Sequence, residues 1–380
     1  MEYPLTRVDA VREGDAPRAP KTSEVKLLLS GIDTIDCAYY LRPALGCCLN
    51  FGALAATREA LRSAKRREQA TVALAGTEFL LSAHGTASGY PYLMENPQTR
   101  IQFGEFNKPS FFVNYRSHAL WHKGAQVLHR EFTAWAAAMK LDEARSEGLS
   151  RVDFAFDVHL PSIDFDEDSF VTLASKDATH RKDRRAQTFT FGQGDIVLRV
   201  YDKTAEIREA SQKTWFYDLW GGVSEGVWRI EFQVRKDVLK RFGIRTFQDL
   251  FEGSGDVLRY LVFEHTTLRV PHDDSNRSRW PLHPLWSMLQ QHVGTLQAQG
   301  VVREVDPDER LLEQMLRLAV SVEGYIKRSA AIECVRSGGE LLSHERALEQ
   351  FSAFVRRVHE PLTWCTDVLK RAEQVRLGQW

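Results

Sequence analysis

The sequence predicts an α+β protein: antiparallel sheets in two related β-α-β units packed with helices, then a helical C-terminal region. Three observations predict it. Apolar and polar residues alternate with a period of two in several runs between residues 25 and 235, the mark of strands with one covered face. The order strand, helix, strands, helix occurs twice, and each series opens with two neighbouring acids, Asp33 and Asp36, then Asp153 and Asp157. Beyond Arg245 the spacing turns helical, with Leu311, Leu312, Met315, Leu316, Leu318, Ala319 and Val322 forming a broad apolar stripe.

Taken in order, residues 1–23 carry Pro4, Pro17 and Pro20 among charged residues and read as a flexible leader. Residues 27–33 and 38–41 read as a strand pair or one bent strand, and 53–69, rich in helix formers, as an exposed helix. Strands follow at 77–83, 90–95, 99–105 and 110–117, separated by Gly-, Pro- and Asn-containing turns, with a helix at 127–139. In the second series, 151–160 reads as a strand and 164–176 as a helix. Runs 186–192 and 196–203 form a hairpin around Gly192-Gln193-Gly194-Asp195, and 227–235 is a strand leading into a helix from Lys236. Helices are expected at 247–265, 285–299, 308–336 and 344–374, with a Pro-rich break from Pro271 to Pro284. The expected division is therefore a leader, halves at 24–148 and 149–270, and a helical region at 271–380.

Composition bounds the function. The 380 residues hold 50 Lys+Arg against 51 Asp+Glu, a net charge of -1, with 43% apolar residues. These values exclude a disordered, collagenous or disulfide-scaffold chain, and the neutral balance argues mildly against a polyanionic partner. Five cysteines (Cys37, Cys47, Cys48, Cys334 and Cys365) form no CxxC pair, which fits a reducing compartment. No apolar run approaches the roughly 18–20 residues that cross a bilayer. The N-terminus lacks an export pattern, so a soluble cytoplasmic protein with no membrane partner is expected.

Three strands share an unusual polar face. One carries Arg151, Asp153, Ala155 and Asp157 opposite Val152, Phe154, Phe156 and Val158; another carries Arg199, Tyr201 and Lys203 opposite Leu198 and Val200. The third carries Arg229, Glu231, Gln233 and Arg235 opposite Trp228, Ile230, Phe232 and Val234. If the strands are neighbours, directly opposed side chains lie about 5 Å apart and carboxylates from two strands can share a cation. Asp153, Asp157 and Glu231 are hard oxygen ligands for Mg²⁺ or Mn²⁺, which would polarise a phosphoryl oxygen. Tyr201 is a candidate nucleophile, with Lys203 and Arg199 placed to lower its pKa and bind phosphate. The competing reading is a charged sheet face whose pairs only satisfy one another.

The segments Ser150–Asp157, Leu198–Glu206 and Trp228–Arg235 resemble the three signature strands of the Rep_trans superfamily. Its members are replication initiation factors of rolling-circle plasmids and filamentous phages, with related relaxases of conjugative elements. Gly192 and Ser30-Gly31-Ile32-Asp33 are also similar, so the resemblance spans about residues 25–270. It implies a nicking and closing enzyme in which Tyr201 attacks an origin phosphate, becomes joined to the 5′ end and frees a 3′-hydroxyl that primes synthesis. Mg²⁺ or Mn²⁺ would be held by Asp153 and Glu231, with Asp157 a third candidate. The implied partners are origin DNA, single-stranded or cruciform, a host helicase and polymerase, and a second copy in a homodimer. Relaxase activity by the same chemistry and a non-catalytic DNA-binding regulator are the alternatives.

Other features carry less. No His-hydrophobic-His pair and no GxxxxGK[ST] occurs, so a helicase activity would belong to a partner. His118 and His122 have helical ligand spacing but lack a third ligand, and surface or packing histidines are the simpler reading. Basic clusters stand at Lys65-Arg66-Arg67, at Arg181-Lys182-Asp183-Arg184-Arg185 and from Arg269 to Arg279. Arg181, Lys182, Arg184 and Arg185, leading into the Tyr201 hairpin, join Arg151 and Arg229 as candidate DNA contacts. Tyr115, Arg116, Trp280, His283 and Trp286 are read as structural before DNA-contacting.

Overall fold

The computed structural model describes residues 25–64, 69–174, 176–182, 185–300 and 307–376. The expected leader, the Lys65-Arg66-Arg67 cluster and Asp183-Arg184 lie outside them. The first series begins with β1 (Lys26–Pro43), a single 18-residue strand with several bulges against its neighbour. Next comes α1 (Phe51–Ser63), which starts where Asn50 Oδ1 accepts from Ala53 N at 3.0 Å. β2 (Gln69–Leu74), β3 (Thr77–Ser82), β4 (Tyr92–Glu95), β5 (Thr99–Phe103) and β6 (Phe111–Tyr115) follow, then α2 (Ser117–Lys123) and α3 (Ala125–Ala138). The predicted helix at 53–69 thus ends early, because Gln69-Ala70-Thr71-Val72 pairs with β3 as a hairpin strand.

The second series begins with β7 (Leu141–His159) and continues through β8 (Phe170–Thr172), β9 (Asp177–Lys182), β10 (Arg185–Phe191) and β11 (Ile196–Asp202). The predicted helix at 164–176 is absent. Asp166 instead caps a single 3-10 turn at Glu167–Ser169, accepting from Ser169 N at 3.1 Å. Beyond it the β-branched Val171 and Thr172 pair with Thr267 and Thr266 of β13 (Thr266–Leu268), so strand pairing wins over local helix propensity. After β11 come α4 (Lys203–Glu206), a π turn at Ile207–Ser211, α5 (Phe216–Leu219), β12 (Val227–Arg235), α6 (Lys236–Arg241) and α7 (Phe247–Arg259). α8 (Pro284–Gly294) follows β13.

Eleven strands form one sheet in the order β2-β3-β4-β5-β6-β1-β7-β12-β11-β10-β9, and β8 pairs separately with β13. The opening strands of the two series, β1 and β7, pair antiparallel at the middle of this sheet. β12 is hydrogen-bonded to β7 on one side and β11 on the other, so the three strands with polar faces are neighbours. The back face is apolar and closed: Ile35, Tyr39, Val152, Phe154, Phe156, Leu198, Val200, Ile230, Phe232 and Val234 are all buried. Aromatic side chains from the helices interlock with it, Phe132 of α3 on Tyr39, Phe247 of α7 on Tyr115, and Trp286 of α8 on Phe232.

Trp286 is fully buried and donates through Nε1 to Val262 O at 2.8 Å. This corrects the expected boundary at residue 271, because α8 belongs to the same compact unit as the sheet. The chain divides instead at residues 302/303. The second unit contains α9 (Pro307–Arg336), α10 (His344–Val358) and α11 (Pro361–Arg376). Within it Ile326 and Ala347 are buried where α9 meets α10, and Pro361 breaks the predicted single helix at 344–374. Among the described residues no helix is long and apolar enough to cross a membrane.

Candidate active site

The front of the sheet centres on Arg229. Its side chain is fully buried, and each donor found has an acid to receive it: Nε to Asp157 Oδ1 at 2.6 Å, Nη2 to Asp157 Oδ2 at 2.8 Å, and Nη1 to Asp33 Oδ1 at 2.7 Å. Strand geometry explains the convergence. Arg229 lies directly opposite Asp157 in the β12–β7 register. Asp33 reaches the same point because β1 is bulged there: Ile32 pairs with Phe154 and Thr34 with Asp153, leaving Asp33 as the extra residue. Trp220 Nε1 completes Asp157 at 2.9 Å, while Trp121 Nε1 and Ser117 Oγ donate to Asp33 Oδ1 at 2.8 and 2.9 Å.

Aromatic rings close over this hub. The Arg229 guanidinium lies 4.5 Å from the Phe216 ring centre and 5.6 Å from that of Trp121. Burial pushes the Asp33 carboxyl up, but attraction to Arg229, then to Lys213, and the Trp121 hydrogen bond outweigh it and hold the pKa well below the usual carboxylate range. Burial disfavours the charged form of Arg229, yet Asp157 and Asp33 keep it firmly cationic.

Beside the hub stands the tyrosine corner. β11 runs opposite β12 with Arg199 facing Glu231 and Tyr201 facing Arg229. Tyr201 Oη donates to Glu231 Oε2 at 3.0 Å, and Arg199 Nη1 donates to Glu231 Oε1 at 3.2 Å. β11 is led in by the β10–β11 hairpin, where Gly192 sits at φ +93° and a Cβ would meet Ile196 O at 2.3 Å. Lys203 opens α4 behind the Asp202 cap, which accepts from Ala205 N at 2.9 Å. Its Nζ is buried, 2.6 Å from Glu206 Oε2 and 5.6 Å from the Tyr201 ring centre.

Two expectations change here. Tyr201 was expected to have a lowered pKa. Burial instead pushes it well above the ordinary phenol value, with Arg229 opposing and Glu231 and Asp33 reinforcing the rise, so the phenol is a hydrogen-bond donor to Glu231. Lys203 is itself depressed by burial and by Arg229, with Glu206 acting against that. Asp157, expected as a metal ligand, and Arg229, expected as a DNA contact, are instead sealed together beneath the aromatic rings. Removing both from water needs mutual pairing, which leaves neither available outward.

Asp153 lies next to this corner, opposite Gln233 on β12. Arg151 grips it, Nε to Oδ1 at 2.8 Å and Nη2 to Oδ2. Burial nevertheless pushes the Asp153 carboxyl up to about 6; Arg151 opposes this, while Glu231 and Asp33 add to it. Crowded carboxylates of this kind gain from a shared cation. Mg²⁺ commonly takes one or two carboxylates and completes its shell with water and phosphate oxygens, so Asp153 and Glu231 fit such an ion and Asp157 does not. Among the described residues no group of three or more His, Cys, Asp or Glu forms a ready-made cage.

The remaining candidates fall outside this corner. Arg181 and Lys182 end β9 and Arg185 begins β10, at the far edge of the sheet, while Arg184 lies outside the described residues. His118 and His122 stack on one another at 4.2 Å and both meet the Trp215 ring, a packing role. Tyr115 is buried with its hydroxyl 2.6 Å from that of Tyr39. Trp121, Ser117 and Trp220 are hydrogen-bond donors to the buried acids that the sequence alone does not mark. The available signal was the acid that opens each series, since a buried acid needs donors.

No protein-family model matches the chain, and no curated protein matches it. A search of solved structures finds the rolling circle replication initiator protein from Geobacillus stearothermophilus at a TM-score of 0.41 and 16% identity, covering 74% of this chain and 100% of that one.

Proposed function

We propose that the chain is a DNA nicking and joining enzyme that initiates rolling-circle replication, with Tyr201 as nucleophile. One observation carries the reading: the Tyr201 hydroxyl donates to Glu231 on a polar face where Arg199 holds the other carboxylate oxygen. A tyrosine whose pKa is raised by burial is a poor nucleophile unless a base removes its proton, and Glu231 is in contact with that proton.

In the forward step Tyr201 Oη forms a bond to the phosphorus as its proton passes to Glu231. The bond from phosphorus to the 3′ oxygen breaks, and that oxygen takes a proton from solvent. The 5′ phosphate is left on the tyrosine. Reversal of the same steps rejoins the strand. Arg199 offsets charge at the phosphoryl oxygens, while Lys203, buried and paired with Glu206, acts on the corner through its field alone. A divalent ion held by Asp153 and Glu231 would add to that charge stabilisation. Arg229, Asp157 and Asp33 do not touch the substrate; they position β12 beneath the corner.

The test uses labelled single-stranded origin fragments with Mn²⁺. Wild-type protein should give a denaturation-resistant adduct, and Tyr201→Phe should give none while still binding the DNA. An adduct on the Phe variant would exclude Tyr201 as nucleophile. DNA binding with no cleavage by wild type in any divalent ion would favour a non-catalytic regulator.

A further inference from the structure

The front face continues past Asp153 onto the first half of the sheet, where its residues fall into two register rows. In one, Glu95 faces Arg100, Arg100 faces Asn114, Asn114 faces Asp36, and Asp36 faces Arg151. In the next, Gln102 faces Phe112, and Phe112 faces Ala38. Phe112 differs from its strand neighbours: Phe111 and Val113 point into the core and are buried, while Phe112 lies on the front, half-buried. Ala38 beside it is small. Nearby, the Arg145 guanidinium stacks 3.5 Å over the Tyr40 ring, also half-buried.

Two arginines on this surface converge on one acid. Arg100 Nε and Arg116 Nη2 share the single carboxylate of Glu95, at 3.1 and 2.8 Å. A guanidinium has five N–H donors, so two of them on one carboxylate leave donors for a further anion. The surface is continuous with the tyrosine corner, because Arg151 of the first row also binds Asp153. With strands about 4.8 Å apart and residues about 3.3 Å apart along them, Phe112 lies about 35 Å diagonally from Tyr201.

We infer that this half of the front face is a platform for single-stranded DNA, on which a base of the strand held at Tyr201 stacks on Phe112 while Arg100 holds the adjoining phosphate. The inference rests on the nicking reading for the strand's presence, but its own observations are the half-buried ring on the front face and the two arginines that share one carboxylate. Single-stranded DNA is the occupant these groups fit. An aromatic ring on a sheet face can stack with an unstacked base, which a duplex does not present.

The test is made in full-length Tyr201→Phe protein, where no strand is cut, by anisotropy titration of a labelled oligothymidylate long enough to reach Phe112. Phe112→Leu, which keeps an apolar side chain, should weaken binding about tenfold. Arg100→Ala should lower the dependence of log K on log salt by about 0.7. Circular dichroism checks that both variants are folded. Affinity for a duplex of equal length should change little. Unchanged single-strand affinity and salt slope in both variants would overturn the platform and leave the nicking reading intact. Equal losses on duplex and single strand would overturn it as well. Absence of any adduct on wild-type protein, with Phe112-dependent binding retained, would instead support the platform while removing the nicking reading.

Discussion

Arg229 and Asp33, 196 residues apart, are joined at 2.7 Å across a strand that lies between theirs. β12 and β1 are not neighbours, so this ion pair ties the two halves of the sheet together over β7. A buried pair of this kind is costly to break from one side, because the surviving charge stays out of water.

Removing one partner should therefore cost more than a surface pair would. Arg229→Met should lower the unfolding free energy by about 3–5 kcal/mol, and Asp33→Asn, which keeps an acceptor, by about 2 kcal/mol. Urea unfolding of the full chain measures both. Losses under about 0.5 kcal/mol would mean the pair is exposed in solution.

The pH response of Asp33 follows from the sign of its shift. The folded pKa lies below the unfolded value of 3.8, so the unfolded state binds more protons as the medium becomes acidic. The stability contributed by Asp33 is present above the unfolded pKa and is lost as pH falls below it. The stability gap between wild type and Asp33→Asn should be constant from about pH 5 to 7 and shrink toward about pH 3. A gap that widens on acidification would reverse the sign.

Glu231→Gln tests the acceptor of the tyrosine proton. The amide can still receive a hydrogen bond but cannot take the proton, so adduct formation should slow by about 10²–10⁴-fold with binding of DNA little changed. A rate within a factor of about 3 of wild type would assign the proton elsewhere.

The two aspartates of β7 should separate cleanly. Asp153→Asn should weaken Mn²⁺ binding measured by calorimetry while the protein stays folded, and Asp157→Asn should act on thermal stability through Arg229. The reverse pattern would exchange their roles.

The polar fronts of β7, β11 and β12 were readable because alternation with a period of two survives in a strand whatever it pairs with. Their adjacency is not legible in the alternation itself. Which side chains meet was not readable, since register depends on partners far away in the chain. The bulge at Asp33 exists only against β7, and the pairing of Arg229 with Asp157 consumed a residue pair that spacing alone marked as reactive. Trp121 carries no spacing signal, because the acid it donates to lies on a strand almost ninety residues earlier. The segment at 164–176 misled for a simpler reason: its strand is three residues long and is fixed by Thr266 and Thr267, almost a hundred positions later.

Gly31 shows how little room separates these elements. A methyl group on it would stand 2.7 Å from the Trp121 ring, the same indole that donates to Asp33. Nothing about residue 31 is charged or reactive, yet the volume of one carbon atom there decides whether α2 can rest against β1. The acid two positions along would lose its indole donor, and Arg229 would face a carboxylate free to turn toward solvent. Spacing set by a missing side chain thus governs charge at the centre of the sheet.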